Sequence, residues 1–143
     1  MVNDTALFAG FIGTWILDPS SCQYEQGDPP AEGLYSISEM DGRLFFNIAW
    51  TDADGKDNDV AFKGLTDGVP VPFVVPGAVD EMSIHATSRR ELRSTAFFEN
   101  KPTMIAQRQL DESGRAMRVT QVVMFPDGER LANVATYIKS LPE

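Results

Sequence analysis

Turn signals recur along the sequence at a regular interval. Asp-Gly steps stand at 41–42, 54–55, 67–68 and 127–128, and the first three begin 13 residues apart, at 41, 54 and 67. An Asp-Gly step readily adopts the positive φ angles that tight hairpin turns require. The interval leaves room for one strand of ordinary length between consecutive turns. This spacing predicts an antiparallel meander, in which each strand pairs with its neighbour in the chain.

The segments between the turns alternate between two faces with the period of a β-strand. In 43–51, for example, one face carries Leu44, Phe46, Ile48 and Trp50. The same rule gives about ten strand candidates: 12–18, 33–39, 43–51, 58–64, 69–75, 80–87, 91–99, 103–110, 116–125 and 130–139. The sequence therefore predicts an all-β fold, a single antiparallel up-and-down β-barrel of about eight to ten strands.

Two segments depart from this strand pattern. Pro70, Pro72 and Pro76 lie in or beside the candidate strand 69–75, and proline cannot donate to a ladder, so we expect an edge strand or a lid over a barrel mouth. At the N-terminus, Asn3 or Asp4 is placed to cap a short helical turn that runs through residues 6–9 and ends at Gly10. We expect Phe8 and Phe11 of this segment to cover one open end of the barrel.

Length and composition limit the class of protein. The 143 residues match one hydrophobic core, so residues 1–143 are expected to form a single domain. A formal net charge of −9 opposes binding to nucleic acid or to an anionic membrane, and we expect neither partner. We find no secretory signal and no apolar stretch of membrane-spanning length, which predicts a cytoplasmic protein.

The sequence indicates neither a metal nor a cofactor. Cys22 is the single cysteine, which excludes an intrachain disulfide and a cysteine-based zinc site, and we interpret it as a spectator thiol. The segment 51–59 gathers four carboxylates, but its glycine comes too early for a calcium loop and no distal Glu follows, which favours a solvated hairpin.

The residues Gly13-Thr14-Trp15 stand on the first predicted strand, just after the short N-terminal turn. This Gly-x-Trp resembles the opening motif of the lipocalins and related calycins. The longer run Gly13-Thr14-Trp15-x-Leu17-Asp18-Pro19 looks like the opening of a bacterial family of lipocalin-like (calycin-type) β-barrels that have no assigned activity. That family's pattern has a serine three places after the proline, where this sequence has Cys22 with Ser21 beside it, so either a thiol replaces the hydroxyl or the spacing slips by one. The Thr-Asp-x-Tyr second motif of lipocalins proper is absent.

The resemblance implies a lipocalin-like fold and a general ligand-binding role. It also implies that Trp15 packs across the closed end of the barrel, where a basic side chain from the last strands crosses it. Arg118 and Lys139 are the candidates for that cation–π contact.

A barrel that holds a ligand needs a mostly apolar lumen with a few convergent polar groups. We predict that the aromatic side chains supply the apolar wall and that Arg108, Gln121 or His85 orients a polar head group. The predicted ligand-binding residues are Phe46, Trp50, Phe62, Phe73, His85, Arg108, Gln121 and Tyr137. The predicted function is binding of a small, largely apolar molecule, hydrophobic or aromatic in character.

Two alternatives stay open at this point. His85, the single histidine, lies on the strand face opposite Met82 and Ile84; inside the lumen it would be the general base of a cofactor-free lyase, isomerase or cyclase, and outside it would be an ordinary exposed side chain. No phosphate loop, nucleophile elbow or metalloprotease motif is present, so we assign no catalytic residue and leave open whether the protein is an enzyme. In the other alternative, the interior is fully packed and an exposed sheet edge forms a homodimer or another protein contact.

Overall fold

The described part of the chain forms ten antiparallel strands, numbered here in chain order. The computed structural model describes residues 7–25 and 27–140. The strands are β1 Gly13–Tyr24, β2 Glu32–Met40, β3 Arg43–Thr51, β4 Asp57–Gly64, β5 Val71–Val75, β6 Val79–Ser88, β7 Glu91–Phe98, β8 Lys101–Leu110, β9 Ala116–Met124 and β10 Arg130–Ser140. A 3₁₀ turn, Ala9–Phe11, precedes β1. Within the described ranges, no helix is long and apolar enough to cross a membrane.

All ten strands belong to one sheet in the order β4-β3-β2-β1-β10-β9-β8-β7-β6-β5. The first and last strands pair with each other, for example at Trp15 and Lys139, and this pairing wraps the meander into a barrel. The two edges of the sheet are β4 and β5, which face each other without a shared ladder in the described structure. The predicted up-and-down barrel is confirmed, and it is nearly closed, with one seam between β4 and β5.

The first strand is longer than the sequence predicts. The candidate segment ended at residue 18, whereas β1 continues to Tyr24 across a register shift between Asp18 and Gln23. At this shift, the hydroxyl of Ser21 donates to the carbonyl of Asp18 at 2.6 Å and accepts from the backbone N–H of Thr136 at 2.8 Å. A side-chain hydroxyl therefore replaces a ladder partner, which lets a polar stretch remain part of the sheet.

The third Asp-Gly step does not form a hairpin, and this part of the turn prediction is wrong. Asp67 instead forms an isolated bridge with His85 on β6, and the N–H of Gly68 donates to the carbonyl of Ile84 at 2.9 Å. The connection after β4 consequently runs along β6, so β5 pairs with β6 alone. The predicted edge position of this proline-rich segment is confirmed, because β5 is the last strand of the sheet. The physical reason is that Pro72 has no N–H to donate to a second neighbouring strand.

Aromatic side chains close the end of the barrel at which β1 begins. Phe8, Phe11 and Trp15 are fully buried there, and the indole N–H of Trp15 donates to the carbonyl of Phe11 at 2.9 Å. The plug formed by Phe8 and Phe11 agrees with the prediction. Its proposed capping residues, Asn3 and Asp4, lie outside the described residues.

A basic side chain crosses Trp15, as the resemblance implied. The Nζ atom of Lys139 lies 5.4 Å from the centroid of the Trp15 ring, so the crossing residue is Lys139 and not Arg118. Gly13 makes room for it: a Cβ added at Gly13 would lie 3.0 Å from Cε of Lys139. The Gly-x-Trp motif thus has a steric cause, because the lysine stem passes directly over the glycine.

Candidate ligand-binding site

Arg108 on β8 is buried inside the barrel, with 1% of its surface exposed. Its Nε atom donates to the hydroxyl of Tyr35 at 2.8 Å, and its Nη1 atom donates to the hydroxyl of Ser94 at 3.1 Å. The centre of the guanidinium lies 4.8 Å from the ring centroid of Phe46 and 6.0 Å from that of Phe62. Neutral hydroxyls and ring faces therefore hold a charged group in the interior.

No carboxylate lies within ion-pair distance of Arg108 in residues 7–25 and 27–140, where the ion pair is between Arg93 and Glu91, both on β7. Its Nη2 atom donates no hydrogen bond to any group in the same ranges. Burial of a charge raises the free energy of the folded state unless an opposite charge and hydrogen bonds compensate for the lost hydration. The interior thus holds a positive charge whose Nη2 atom has no hydrogen-bond partner in these ranges.

A large pocket opens along the seam between β4 and β5, and we call it the seam pocket. It has a volume of about 750 Å³. Phe46 and Phe62 stack in its wall with ring centroids 4.5 Å apart, and Phe62 meets Phe73 of β5 edge to face at 6.1 Å. Its remaining lining is mostly apolar: Phe45, Ala61, Gly64, Leu65, Val69, Val71, Pro72, Met82 and Ile84, with Arg43, Lys63 and Asp67 as charged members.

A second pocket lies at the end of the barrel opposite Trp15, and we call it the end pocket. Its volume is about 420 Å³. Tyr35 and Tyr137 meet there edge to face with centroids 5.1 Å apart, and the Gln121 amide donates to the sulfur of Met104 at 3.4 Å. The remaining lining residues are Tyr24, Asp28, Pro30, Ile48, Trp50, Asp52, Val60, Val119, Asn133 and Ala135.

Comparison with solved structures identifies the architecture. The chain superposes on a Schistosoma mansoni fatty acid binding protein in complex with arachidonic acid, with a TM-score of 0.62 and 12% identity, over 94% of this chain and 99% of that one. It also superposes on a zebrafish ileal bile acid-binding protein complexed with cholic acid, with a TM-score of 0.57 and 12% identity, over 92% of this chain and 99% of that one. The fold is calycin-type.

Sequence comparison shows no family for this chain. No protein-family model matches the chain, and no curated protein matches it significantly in sequence. The bacterial group suggested by the opening motif therefore stays a prediction.

Most of the predicted site residues lie in two groups, one at each pocket, with Arg108 between them. Phe46, Phe62 and Phe73 line the seam pocket, and Trp50, Gln121 and Tyr137 line the end pocket. Arg108 lies between the two groups, because it contacts Tyr35 on one side and Phe46 on the other. Seven of the eight predicted side chains are thus brought into or beside the interior.

His85 does not reach the interior, and its assignment to the lumen is wrong. Met82 and Ile84 of the same strand line the seam pocket, so the opposite face, which carries His85, points outwards. His85 is exposed there and packs beside Gly68 of the β4–β5 connection. The face of this strand could not be assigned from alternation alone, because a shift of one residue exchanges the two faces.

Sequence reasoning missed Tyr35 and Ser94, the two hydroxyl partners of Arg108. Tyr35 is 3% exposed and Ser94 is 5% exposed, although both are polar. A signal was present, since Tyr35 shares the alternating pattern of β2 with Ile37, a buried position. The pairing itself was hidden, because Tyr35 and Arg108 are separated by 73 residues.

The protonation of nearby groups follows from burial. Burial raises the pKa of Tyr137, and the neighbouring Tyr35 raises it further, so the Tyr137 phenol stays neutral at physiological pH. Burial, together with the carboxylate of Asp18, raises the pKa of the Cys22 thiol. A protonated thiol is a poor nucleophile, which supports the interpretation of Cys22 as a spectator.

Proposed function

We propose that this protein binds a small, largely apolar molecule that carries an anionic head group, with the apolar body in the seam pocket and the head group at Arg108. The observation that carries the proposal is the buried Arg108 guanidinium, which has no carboxylate partner in the described residues and lies against the aromatic wall of an apolar pocket. An anionic head group would supply the missing counter-charge.

The dimensions and lining of the seam pocket support this proposal. A volume of about 750 Å³ falls inside the range of roughly 300–1,000 Å³ that is typical of small-molecule sites. The stacked rings of Phe46 and Phe62 offer a flat apolar surface, and Phe73 covers them from the other side of the seam. Burial of an apolar body against these rings contributes about 25 cal/mol per Å² of apolar surface.

The local charge of the seam pocket favours an anion. Arg43 and Lys63 line it against the single carboxylate Asp67, although the chain as a whole carries a net charge of −9. This local excess of positive charge would attract an anionic ligand to the seam. The two similar structures hold arachidonic acid and cholic acid, which are both carboxylic acids with a large hydrocarbon body.

The enzymatic alternative receives no support. It placed His85 as a general base in the cavity, whereas His85 is exposed on the outer face. The single domain over residues 1–143 is retained as part of the proposal, because one continuous ten-stranded sheet encloses the core. A homodimer through a sheet edge stays a prediction.

The test is a titration of the purified protein with 8-anilinonaphthalene-1-sulfonate, an apolar anion whose fluorescence rises on transfer to an apolar site. We expect saturable 1:1 binding to the seam pocket and displacement by a long-chain carboxylate, with weaker displacement by the alcohol of the same chain length. Replacement of Arg108 by Met should weaken carboxylate binding by about 10- to 100-fold and leave alcohol binding nearly unchanged, since only the charged contact is lost.

Arg93→Met is the matched control. Arg93 lies on the neighbouring strand with 44% of its side chain exposed, so this substitution removes the same charge from the outer surface. The Arg108→Met protein should remain folded, since a buried charge replaced by an apolar side chain of similar length is often tolerated. The absence of saturable binding by any apolar anion would overturn the proposal, and so would equal losses in the two variants.

A further inference from the structure

The end pocket has the opposite electrostatic character to the seam pocket. Its described lining contains two carboxylates, Asp28 and Asp52, and no Lys or Arg. It also contains four aromatic residues: Tyr24, Tyr35, Trp50 and Tyr137. We propose that the end pocket is a second binding site, separate from the seam pocket, and that it takes an organic cation such as a quaternary or alkylated ammonium group attached to an apolar body.

The two pockets have different linings. They share no lining residue among those described. Tyr35, Phe46 and Arg108 form the wall between them, and these side chains are 3%, 2% and 1% exposed. The hydrogen bond from Arg108 to Tyr35 and its stacking on Phe46 hold the three together. A molecule in one pocket therefore leaves room for a different molecule in the other.

The aromatic lining suits a cation. The faces of Trp and Tyr rings attract ammonium groups, most strongly when the groups are desolvated, and a cluster of such rings is the usual recognition site for quaternary ammonium ligands. Burial raises the pKa of Tyr24 and of Tyr137, so both phenols stay neutral and act through their ring faces. Trp50 comes from the end of β3, close to the mouth formed by the β3–β4 connection.

The carboxylates fix where the cation lies. Asp28 is exposed on the β1–β2 connection, and Asp52 follows β3 at the same end of the barrel. The backbone N–H groups of Asp54 and Lys56 donate to Asp52 at 3.0 and 2.9 Å, and these hydrogen bonds hold its pKa below the usual value, so it is ionised at neutral pH. Two carboxylates therefore lie at the mouth of the pocket, while Lys56, whose positive charge also acts on Asp52, is not among the described lining residues.

The depth of the pocket is less favourable to a positive charge, because Arg108 lies behind Tyr35. Like charges repel across the low-dielectric interior. The cationic group consequently sits at the mouth, near Asp28, Asp52 and Trp50, and the apolar part of the molecule fills the space beside Val119 and Ala135.

Benzyltrimethylammonium is the probe. Neopentylbenzene, which has the same shape without the charge, is the neutral analogue, and benzenesulfonate is the aromatic ligand of opposite charge. Titration calorimetry of the whole chain should show 1:1 binding of the cation, at least about 10-fold weaker binding of the neutral analogue, and no competition with 8-anilinonaphthalene-1-sulfonate. Nitrogen-15 NMR distinguishes the two ends of the barrel, since one of the two tryptophans, Trp50, lines the end pocket and the other, Trp15, lies at the closed end. The indole signal of Trp50 should shift, and that of Trp15 at the closed end should not.

Variants separate the site from the surface charge. Asp28→Asn should weaken cation binding by about 3-fold or more, whereas Glu112→Gln, which removes the same charge from the β8–β9 connection at the other end, should leave it unchanged. Trp50→Leu should weaken it by about 3- to 30-fold. Equal binding of the cation and its neutral analogue, competition with the anionic dye, or a shift of the Trp15 signal alone would each overturn the second site, and none of these results bears on Arg108.

Discussion

The rings of Phe62 on β4 and Phe73 on β5 meet edge to face across the seam, with centroids 6.1 Å apart and planes at 68°. No backbone ladder joins these two strands in the described structure, so this side-chain contact bridges the edges of the sheet. Phe62 also stacks on Phe46, which in turn lies under Arg108. The contact thus connects the opening of the barrel to its buried charge.

Replacement of Phe73 by Ala should speed release of a molecule bound in the seam pocket. An edge-to-face aromatic pair contributes about 0.5–1.5 kcal/mol, so we expect dissociation of 8-anilinonaphthalene-1-sulfonate to accelerate by about 2- to 10-fold in stopped-flow fluorescence. Val74→Ala is the control, because Val74 is the next residue along the strand and is 70% exposed. Equal dissociation rates in the two variants would show that Phe73 does not restrain the ligand.

Replacement of Gly13 by Ala should destabilise the barrel by about 1–3 kcal/mol. Gly13 has a φ of 143°, and the added Cβ would lie 3.0 Å from Cε of Lys139, so strain and crowding add. The measurement is the midpoint of urea unfolding. Gly55 also has a positive φ, 87°, but no atom lies within 4 Å of a Cβ added there, so Gly55→Ala should cost less.

The crowding at Gly13 is separable from the strain. If Lys139 is the obstacle, Gly13→Ala should cost less in a Lys139→Ala background than in the wild type. A cost that is the same in both backgrounds would assign the whole effect to the backbone conformation.

Replacement of Thr66 by Val should raise the free energy of unfolding by about 1 kcal/mol. The Thr66 hydroxyl is buried and has no hydrogen-bond partner among the described groups, and valine has nearly the same shape without the unmet polar atom. Thr103→Val is the comparison, because its hydroxyl donates to the carbonyl of Ala96 at 3.3 Å. That variant should lose stability, and a loss of equal size in Thr66→Val would contradict the prediction.

Alkaline pH should destabilise the protein through Tyr137. Its pKa in the folded state is raised above the ordinary value of 10.0, so the contribution is complete below pH 10 and is lost as the unfolded chain ionises at higher pH. The free energy of unfolding should fall by about 1.4 kcal/mol per pH unit above 10 for this group.

Tyr137→Phe should reduce that alkaline slope by one group, because phenylalanine does not ionise in either state. The measurement is urea unfolding from pH 9 to pH 11.5, together with tyrosinate absorbance of the folded protein. An unchanged slope in the variant would mean that Tyr137 ionises as readily in the folded state as in the unfolded state.

The strand pattern was predictable because it depends on local chemistry. The predicted segment 43–51 has the same bounds as β3, and the predicted edge character of the fifth strand follows from proline alone. The position of Trp15 at the closed end was implied by the resemblance of Gly13-Thr14-Trp15 to the opening motif of the calycins. The exception was the polar end of β1, where the hydroxyl of Ser21 supports a bulge that no alternation rule describes.

The sequence by itself determined that this chain is a meander of antiparallel strands that wraps into a barrel with an aromatic plug, because turn chemistry and alternation act between near neighbours. Only the tertiary structure decided that His85 faces outwards, that Tyr35 meets Arg108, and that the barrel opens between β4 and β5. These outcomes depend on which strands pair and in which register. Register brings together residues that are distant in the chain, and a shift of one position reverses every side chain.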